Sequence, residues 1–194
     1  MQQSDQRILT TYVGSLPRPV TLRDLLIKRE RDSSLVLPQL AEATESAVES
    51  VIAGQLDAGI DIGNNGEQPR VGFSTYVASR MSGFAGESPR PVNRDTERFA
   101  DFAQMLADQR RNASMVNVTP QVVGEVRYTD TSEAQQECEQ FIRLRDAAPG
   151  QFAETFMTAA SPGIITTTMM NNYYDSHENY LRAVAREMRK EYEL

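Results

Sequence analysis

Gly59-Ile60-Asp61-Ile62-Gly63-Asn64-Asn65-Gly66-Glu67-Gln68-Pro69-Arg70 is the stretch on which the fold of this 194-residue chain turns. A short β-favouring run here breaks into a loop carrying two amides and a carboxylate. In parallel α/β architectures the carboxyl ends of the strands face the ligand. Glu67 at such an end suits an ammonium group; the competing explanation is a loop held together by Asx turns. Spacing alone leaves both open.

Upstream, Leu40, Ala43, Ala47, Val48, Val51 and Ile52 recur at helical spacing, and Asp57-Ala58-Gly59 closes that helix. Before it, Ile8–Val13 predicts a strand that ends in Gly14-Ser15 and the Pro17-Arg18-Pro19 breaker, followed by a long loop. The first unit is therefore β, loop, α, β.

Downstream, residues 71 to 95 are rich in Gly, Ser, Pro and Arg without a sustained period, and form an excursion beyond the second strand. Phe99, Phe102, Met105 and Leu106 mark a helix, Gln121–Val126 a third strand, and Cys138, Phe141, Ile142 and Leu144 a further helix. Gly163–Met170, a β-branched run, is expected as the fourth strand. Asp175 and Glu178 have capping-box spacing, and behind them Leu181, Val184, Ala185, Met188 and Tyr192 predict an amphipathic helix. Four strands alternating with helices predict parallel βαβ units, in a doubly wound sheet or a closed barrel.

Composition excludes several function classes. A net charge of −7 and only scattered Lys and Arg give no basic stripe for nucleic acid; Lys28, Arg29 and Arg31 are interrupted by Glu30 and Asp32. Met1–Arg7 has no leader-like pattern and no apolar run approaches a membrane span, so a cytoplasmic protein is expected. No G-x-G-x-x-G follows a strand, which argues against a dinucleotide. The single cysteine, Cys138, lies between Glu137 and Glu139 and is expected to be inert. The single histidine, His177, is expected in the exposed first turn of the last helix.

Two other stretches follow strands. Thr10–Pro19 brings a backbone open to close approach at Gly14 and a hydroxyl at Ser15, and is otherwise an ordinary turn. Ser161–Tyr174 ends in Tyr173 and Tyr174, which either wall a pocket for a flat ligand or pack beneath their loop.

Val13-Gly14-Ser15-Leu16-Pro17-Arg18, Gly59-Ile60-Asp61-Ile62 leading to Gly66-Glu67, Gly72-Phe73-Ser74 with Ser82-Gly83-Phe84, and Ser161-Pro162-Gly163 resemble, in this order, the catalytic domain of cobalamin-independent methionine synthases. That resemblance implies a (β/α)8 TIM-type barrel, of which residues 1–194 form a single partial domain with about the first four βα units, cut within the fourth helix. It also implies S-methyl transfer from a methyl-folate to homocysteine held as a zinc thiolate. By the matching motifs, Val13, Gly14, Ser15 and Glu67 contact the amino-acid part of homocysteine, Ser15 taking its carboxylate and Glu67 its ammonium.

The chain departs from the family at two points. Asn65 stands where many methionine synthases have His, which leaves other thiols open, as in the related coenzyme M alkyltransferases. The family's zinc ligands, a His-x-Cys pair, a Glu and a further Cys, all fall after residue 194, so no metal or catalytic residue is assigned here and inactivity alone is expected. Alternatives are a non-catalytic half-barrel that pairs with a partner chain or a second copy, and an unrelated barrel using Glu67 as a general base. Sequence read past Leu194 is expected to carry an Ile-Asp-x-Pro-like strand and then His-x-Cys; its absence would break the family assignment.

Overall fold

The computed structural model describes residues 3–32, 37–88, 94–112 and 119–194, which fall into two compact units. The first contains residues 1–73 and 131–159; the second contains 74–130 and 160–193.

In the first unit, helix α1 (Val20–Arg31) occupies part of the expected long loop. Its Leu22 and Leu26 are buried against Leu40 and Ala47 of α2 (Pro38–Asp57). Two such burials contribute about 1.5–3 kcal/mol each, which outweighs the weak amphipathic signal that hid α1. Pro38 stands at the start of α2, where its missing N–H costs nothing. At the other end, Gly59 N–H bonds Leu56 O and Ile60 N–H bonds Gln55 O, a Schellman closure.

An adjoining face of α2 buries Val48 and Ile52 against Phe141 and Leu144 of α6 (Ser132–Ala147). The unit's strands are short: β1 (Ile62–Gly63) pairs in parallel with β4 (Glu154–Thr155), and Thr11 bridges to Ile62, also in parallel. Three parallel segments thus lie side by side with β1 in the middle. The expected strand 8–13 contributes this bridge, and β4 was not foreseen, because two paired residues leave no periodic trace.

The second unit departs further from expectation. Between α3 (Val77–Arg80) and the pair α4 (Arg94–Arg98) and α5 (Ala100–Asn112) lies β2 (Met81–Ala85). It falls within the stretch expected to be an irregular excursion, and it pairs antiparallel with β3 (Gln121–Tyr128). The expected strand 121–126 therefore exists; besides its antiparallel pairing with β2 it makes one parallel bridge, Val122 to Asn171.

The expected fourth strand is helix α7 (Pro162–Thr168). Ser161 caps it, accepting from Ile164 N–H at 3.2 Å, Pro162 opens the first turn, and the Thr166 and Thr167 hydroxyls donate to Gly163 O. These local bonds override the strand preference of a β-branched run.

Helix α8 (His177–Tyr192) forms as expected, with details displaced. Its N-cap is Ser176, which accepts from Asn179 N–H at 3.1 Å; Asp175 accepts from the Asn179 side chain, and Glu178 pairs with Arg182. The buried face is Tyr180, Ala183, Val184, Glu187 and Met188. A buried glutamate belongs to this stripe because Glu187 Oε2 accepts the Tyr128 N–H of β3 at 3.0 Å.

Burial pushes the Glu187 carboxyl up, but hydrogen bonds from Lys190, the Tyr128 amide and Arg186 outweigh it and bring it down to about 2. A depressed carboxyl stabilises the fold above its unfolded value and ceases to do so as pH falls through its folded value. Thermal melts between about pH 5 and 2 should therefore show a falling Tm that Glu187→Gln flattens; an unchanged acid slope would contradict the assignment.

Gly83 offers a second test. It has φ +95°, and between the pairs Ser82–Arg127 and Phe84–Val122 it alone faces residues 123–126. An added Cβ would lie 2.7 Å from the Glu125 carbonyl oxygen. Gly83→Ala should lower stability by about 2 kcal/mol or more in urea unfolding, from the strained φ and the backbone clash together.

A candidate amino-acid site at the carboxyl ends of parallel strands

The N-terminal segment is fixed first. Asp61, just before β1, accepts from the Thr10 amide at 2.8 Å and from the Thr10 hydroxyl at 3.0 Å, and Arg7 makes a two-pronged ion pair with it. These bonds, Arg7's foremost, hold the Asp61 carboxyl well below the usual carboxylate range. The carboxyl end of β1 is fixed in turn by Gln55 of α2, whose amide bonds Asn64 O at 2.7 Å and Asn64 N–H at 3.2 Å.

Beyond Gly63 the chain turns through Asn64 and Asn65. Asn64 Oδ1 accepts Gly66 N–H at 2.8 Å, and Asn65 Oδ1 accepts Glu67 N–H at 3.0 Å. Both are Asx turns. The two explanations of this loop are therefore not rivals, since the turns are what place Glu67. Among the described residues Glu67 is the one non-glycine with positive φ, at +55°, and it is 1% exposed. A glutamate in the left-handed region is uncommon, and such strain gathers at ligand sites.

Three further side chains converge on Glu67. Ser15 donates its hydroxyl to Oε2 at 2.5 Å, and Thr158, beyond β4, donates to Oε1 at 3.0 Å. Arg18 Nη2 donates to the Glu67 carbonyl at 2.6 Å and its Nε to the Gln68 carbonyl at 3.3 Å. Burial pulls the Arg18 guanidinium below its ordinary value, and the Glu67 charge partly offsets this. Gln68 completes the clasp by donating to Leu16 O at 3.0 Å, while Leu16 N–H bonds Gly66 O at 3.0 Å.

Behind Glu67 lies a buried ion pair, Arg70 with Glu137 of α6, at 3.0 Å and with both side chains 4% exposed. Asn65 Nδ2 donates to Glu137 at 2.9 Å, and Arg70 Nη1 donates to Thr158 O at 2.6 Å and to its hydroxyl at 3.1 Å.

Of the expected site residues, Ser15 and Glu67 meet directly. Gly14 lies beside them with φ +108°, and Val13 is 67% exposed. Thr158, Arg70 and Glu137 were missed: Thr158 follows a strand too short to detect, and a buried Glu on a helix looks like any surface one. Ser15, Glu67 and Thr158 each follow the carboxyl end of their own parallel segment.

Elsewhere, Tyr174 stacks on Tyr180 with ring centroids 5.7 Å apart, and its hydroxyl accepts Val126 N–H at 2.9 Å. It packs beneath its loop, whereas Tyr173 is 53% exposed. Among the described residues no group of three or more His, Cys, Asp or Glu side chains is arranged to hold a metal ion, and no helix is long and apolar enough to cross a membrane.

No family model matches the chain. Two archaeal relatives do: the methionine synthase of Sulfolobus acidocaldarius is 39% identical over 75 residues, which is 39% of this chain and 22% of that protein. That of Sulfurisphaera tokodaii is 34% identical over 80 residues, 41% of this chain and 23% of the relative. The fold is similar to that of a B12-independent methionine synthase from Shewanella sp. W3-18-1 in complex with selenomethionine, with TM-score 0.62 and 22% identity over 95% of this chain and 47% of that one.

The likeness is to methionine synthases. A putative vitamin-B12-independent methionine synthase from Listeria monocytogenes matches less closely, at TM-score 0.56 and 16% identity, over 95% of this chain and 48% of its own. The chain spans about half the length of these methionine synthase structures, and the sequence matches cover under a quarter of the archaeal ones.

The family's zinc does not fit the residues present. One His and one Cys are all the chain has: His177 is exposed at the start of α8, and Cys138 is half-buried on α6 of the other unit. The Arg70–Glu137 pair supports a direct stability test. Glu137→Ala leaves a guanidinium buried without its counter-charge and should cost about 3–5 kcal/mol in urea unfolding; a loss under about 1 kcal/mol would show that the pair is not buried in solution.

Proposed function

We propose that this chain is the amino-acid-binding part of a methyltransferase of the cobalamin-independent methionine synthase type, in which Ser15 and Glu67 grip homocysteine or methionine. The observation that carries this is the Ser15–Glu67 contact at the carboxyl ends of adjacent parallel segments. Glu67 is a buried acceptor whose two oxygens are each oriented by a hydroxyl donor, and a carboxylate so placed suits a charge-assisted hydrogen bond from an ammonium. Ser15, exposed and with its proton committed to Glu67, keeps lone pairs for the same ammonium and a backbone amide for the carboxylate. Val13 and Gly14 line the approach. The selenomethionine in the Shewanella protein supports an amino acid of this class.

On this reading residues 1–194 belong to one (β/α)8 barrel domain, whose first strands are the 10–11 segment, β1 and β4. Their part in methyl transfer from a methyl-folate is to bind and orient the acceptor, which fixes its sulfur relative to the donor. Activation of the thiol by zinc needs ligands these residues do not supply, so no activity is expected of the chain alone, and its action is cytoplasmic. Coenzyme M-type alkyl transfer shares the architecture, but its acceptor has no ammonium for Glu67.

A second reading, a half-barrel completed by a partner chain or a second copy, is favoured by the strand pairing. The 10–11 segment and β4 flank β1, and among the described residues no strand is assigned on the outer side of either, so each is an edge that a further strand can extend.

Titration calorimetry with L-methionine tests the first reading. The wild-type chain should bind it, and Glu67→Gln should weaken binding about tenfold or more, the worth of a charge-assisted hydrogen bond. No binding by wild type, or equal binding by the variant, would refute the assignment.

A further inference from the structure

Glu67 has two oxygens, and the structure gives each its own donor on a different strand: Ser15 beyond the first segment and Thr158 beyond β4. The two donors are not equivalent. Ser15 is exposed, whereas Thr158 is half-buried and tied on its far side to Arg70. A guanidinium only donates, so the Arg70 contact occupies a lone pair of the Thr158 hydroxyl and forces its proton toward Glu67 Oε1. Arg70 is in turn held by Glu137, which also receives Asn65, the residue whose side chain caps the Glu67 amide. Backbone and carboxylate of Glu67 are thus both traceable to one buried ion pair.

We propose that Thr158, oriented by the Arg70–Glu137 pair, is a positioning residue that locks the Glu67 carboxylate for a primary ammonium and so sets selectivity for an α-amino acid over its deaminated analogue. The proposal rests on the amino-acid reading above. With Thr158 on Oε1 and Ser15 on Oε2, the carboxylate cannot turn, and each oxygen presents its remaining lone pair in a fixed direction. An ammonium with several N–H donors matches that arrangement. A ligand lacking nitrogen supplies no counter-charge to the buried carboxylate, which then keeps only its two neutral hydroxyl donors. Removing the Thr158 hydroxyl frees Oε1 to rotate, so recognition of the ammonium falls while contacts to the rest of the ligand persist.

The test compares the wild-type chain, Thr158→Val and Thr158→Ser in calorimetric titrations with L-methionine and with 4-(methylthio)butanoate, alongside thermal melts. Wild type and Thr158→Ser should prefer L-methionine. Thr158→Val should lose about tenfold in that preference, the worth of one hydrogen bond to a charged group, without a matching loss for the deaminated acid. A preference unchanged in Thr158→Val overturns the proposal, and an equal loss for both ligands identifies a merely structural role and also overturns it. If wild type binds neither ligand, the amino-acid reading falls. The lock is then judged by three-bond couplings of the Glu67 side chain: one rotamer in wild type and Thr158→Ser with averaging in Thr158→Val supports it, and one rotamer in all three refutes it.

Discussion

A carboxylate that is almost wholly buried, on a residue whose backbone is left-handed, is the constraint around which the first unit is organised. Neither feature persists unaided: the charge needs donors and the backbone needs anchors. Ser15 and Thr158 donate to the Glu67 oxygens, Asn65 accepts its amide proton, and Arg18 donates to its carbonyl. These partners follow three parallel segments, so the pairing of Thr11, β1 and β4 is also what gathers them around Glu67.

The supporting layer follows the same logic. A buried arginine and glutamate contribute little net stability as a pair, since desolvation consumes most of their attraction. What they supply is direction. Arg70 reaches Thr158 and Glu137 reaches Asn65, so the two contacts that orient Glu67 share one origin. The second unit uses buried carboxylates differently: Glu187 takes the Tyr128 amide, while Glu191 accepts the Tyr76 and Tyr128 hydroxyls, each at 2.5 Å. Those bonds tie α8 to β3 and to Tyr76.

Long, strongly periodic helices were legible in the sequence: α2, α6 and α8 lie where apolar spacing put them. The convergence of Ser15 and Glu67 was legible too, because a strand followed by glycine and a polar side chain is a local signature, and because the motifs resemble those of methionine synthases. What failed was whatever depended on partners distant in sequence. Gly163–Met170 has strand composition, yet a serine cap and a proline at the first turn make it α7. Residues 81–85 lack any alternation, yet pairing with β3 makes them a strand. Thr158 and Glu137 carry no motif, and Arg70 only ends the loop that holds Glu67; their role exists only once β4 and α6 are brought beside Glu67.

The most direct measurement is the anomalous selenium signal from crystals of the chain soaked in L-selenomethionine. The account predicts one selenium peak beside the carboxyl ends of the 10–11 segment, β1 and β4, with the ligand nitrogen within hydrogen-bond reach of Glu67 and its carboxylate at the Gly14–Ser15 backbone. Selenium bound elsewhere, with the Ser15–Glu67–Thr158 contacts intact and unoccupied, would contradict it.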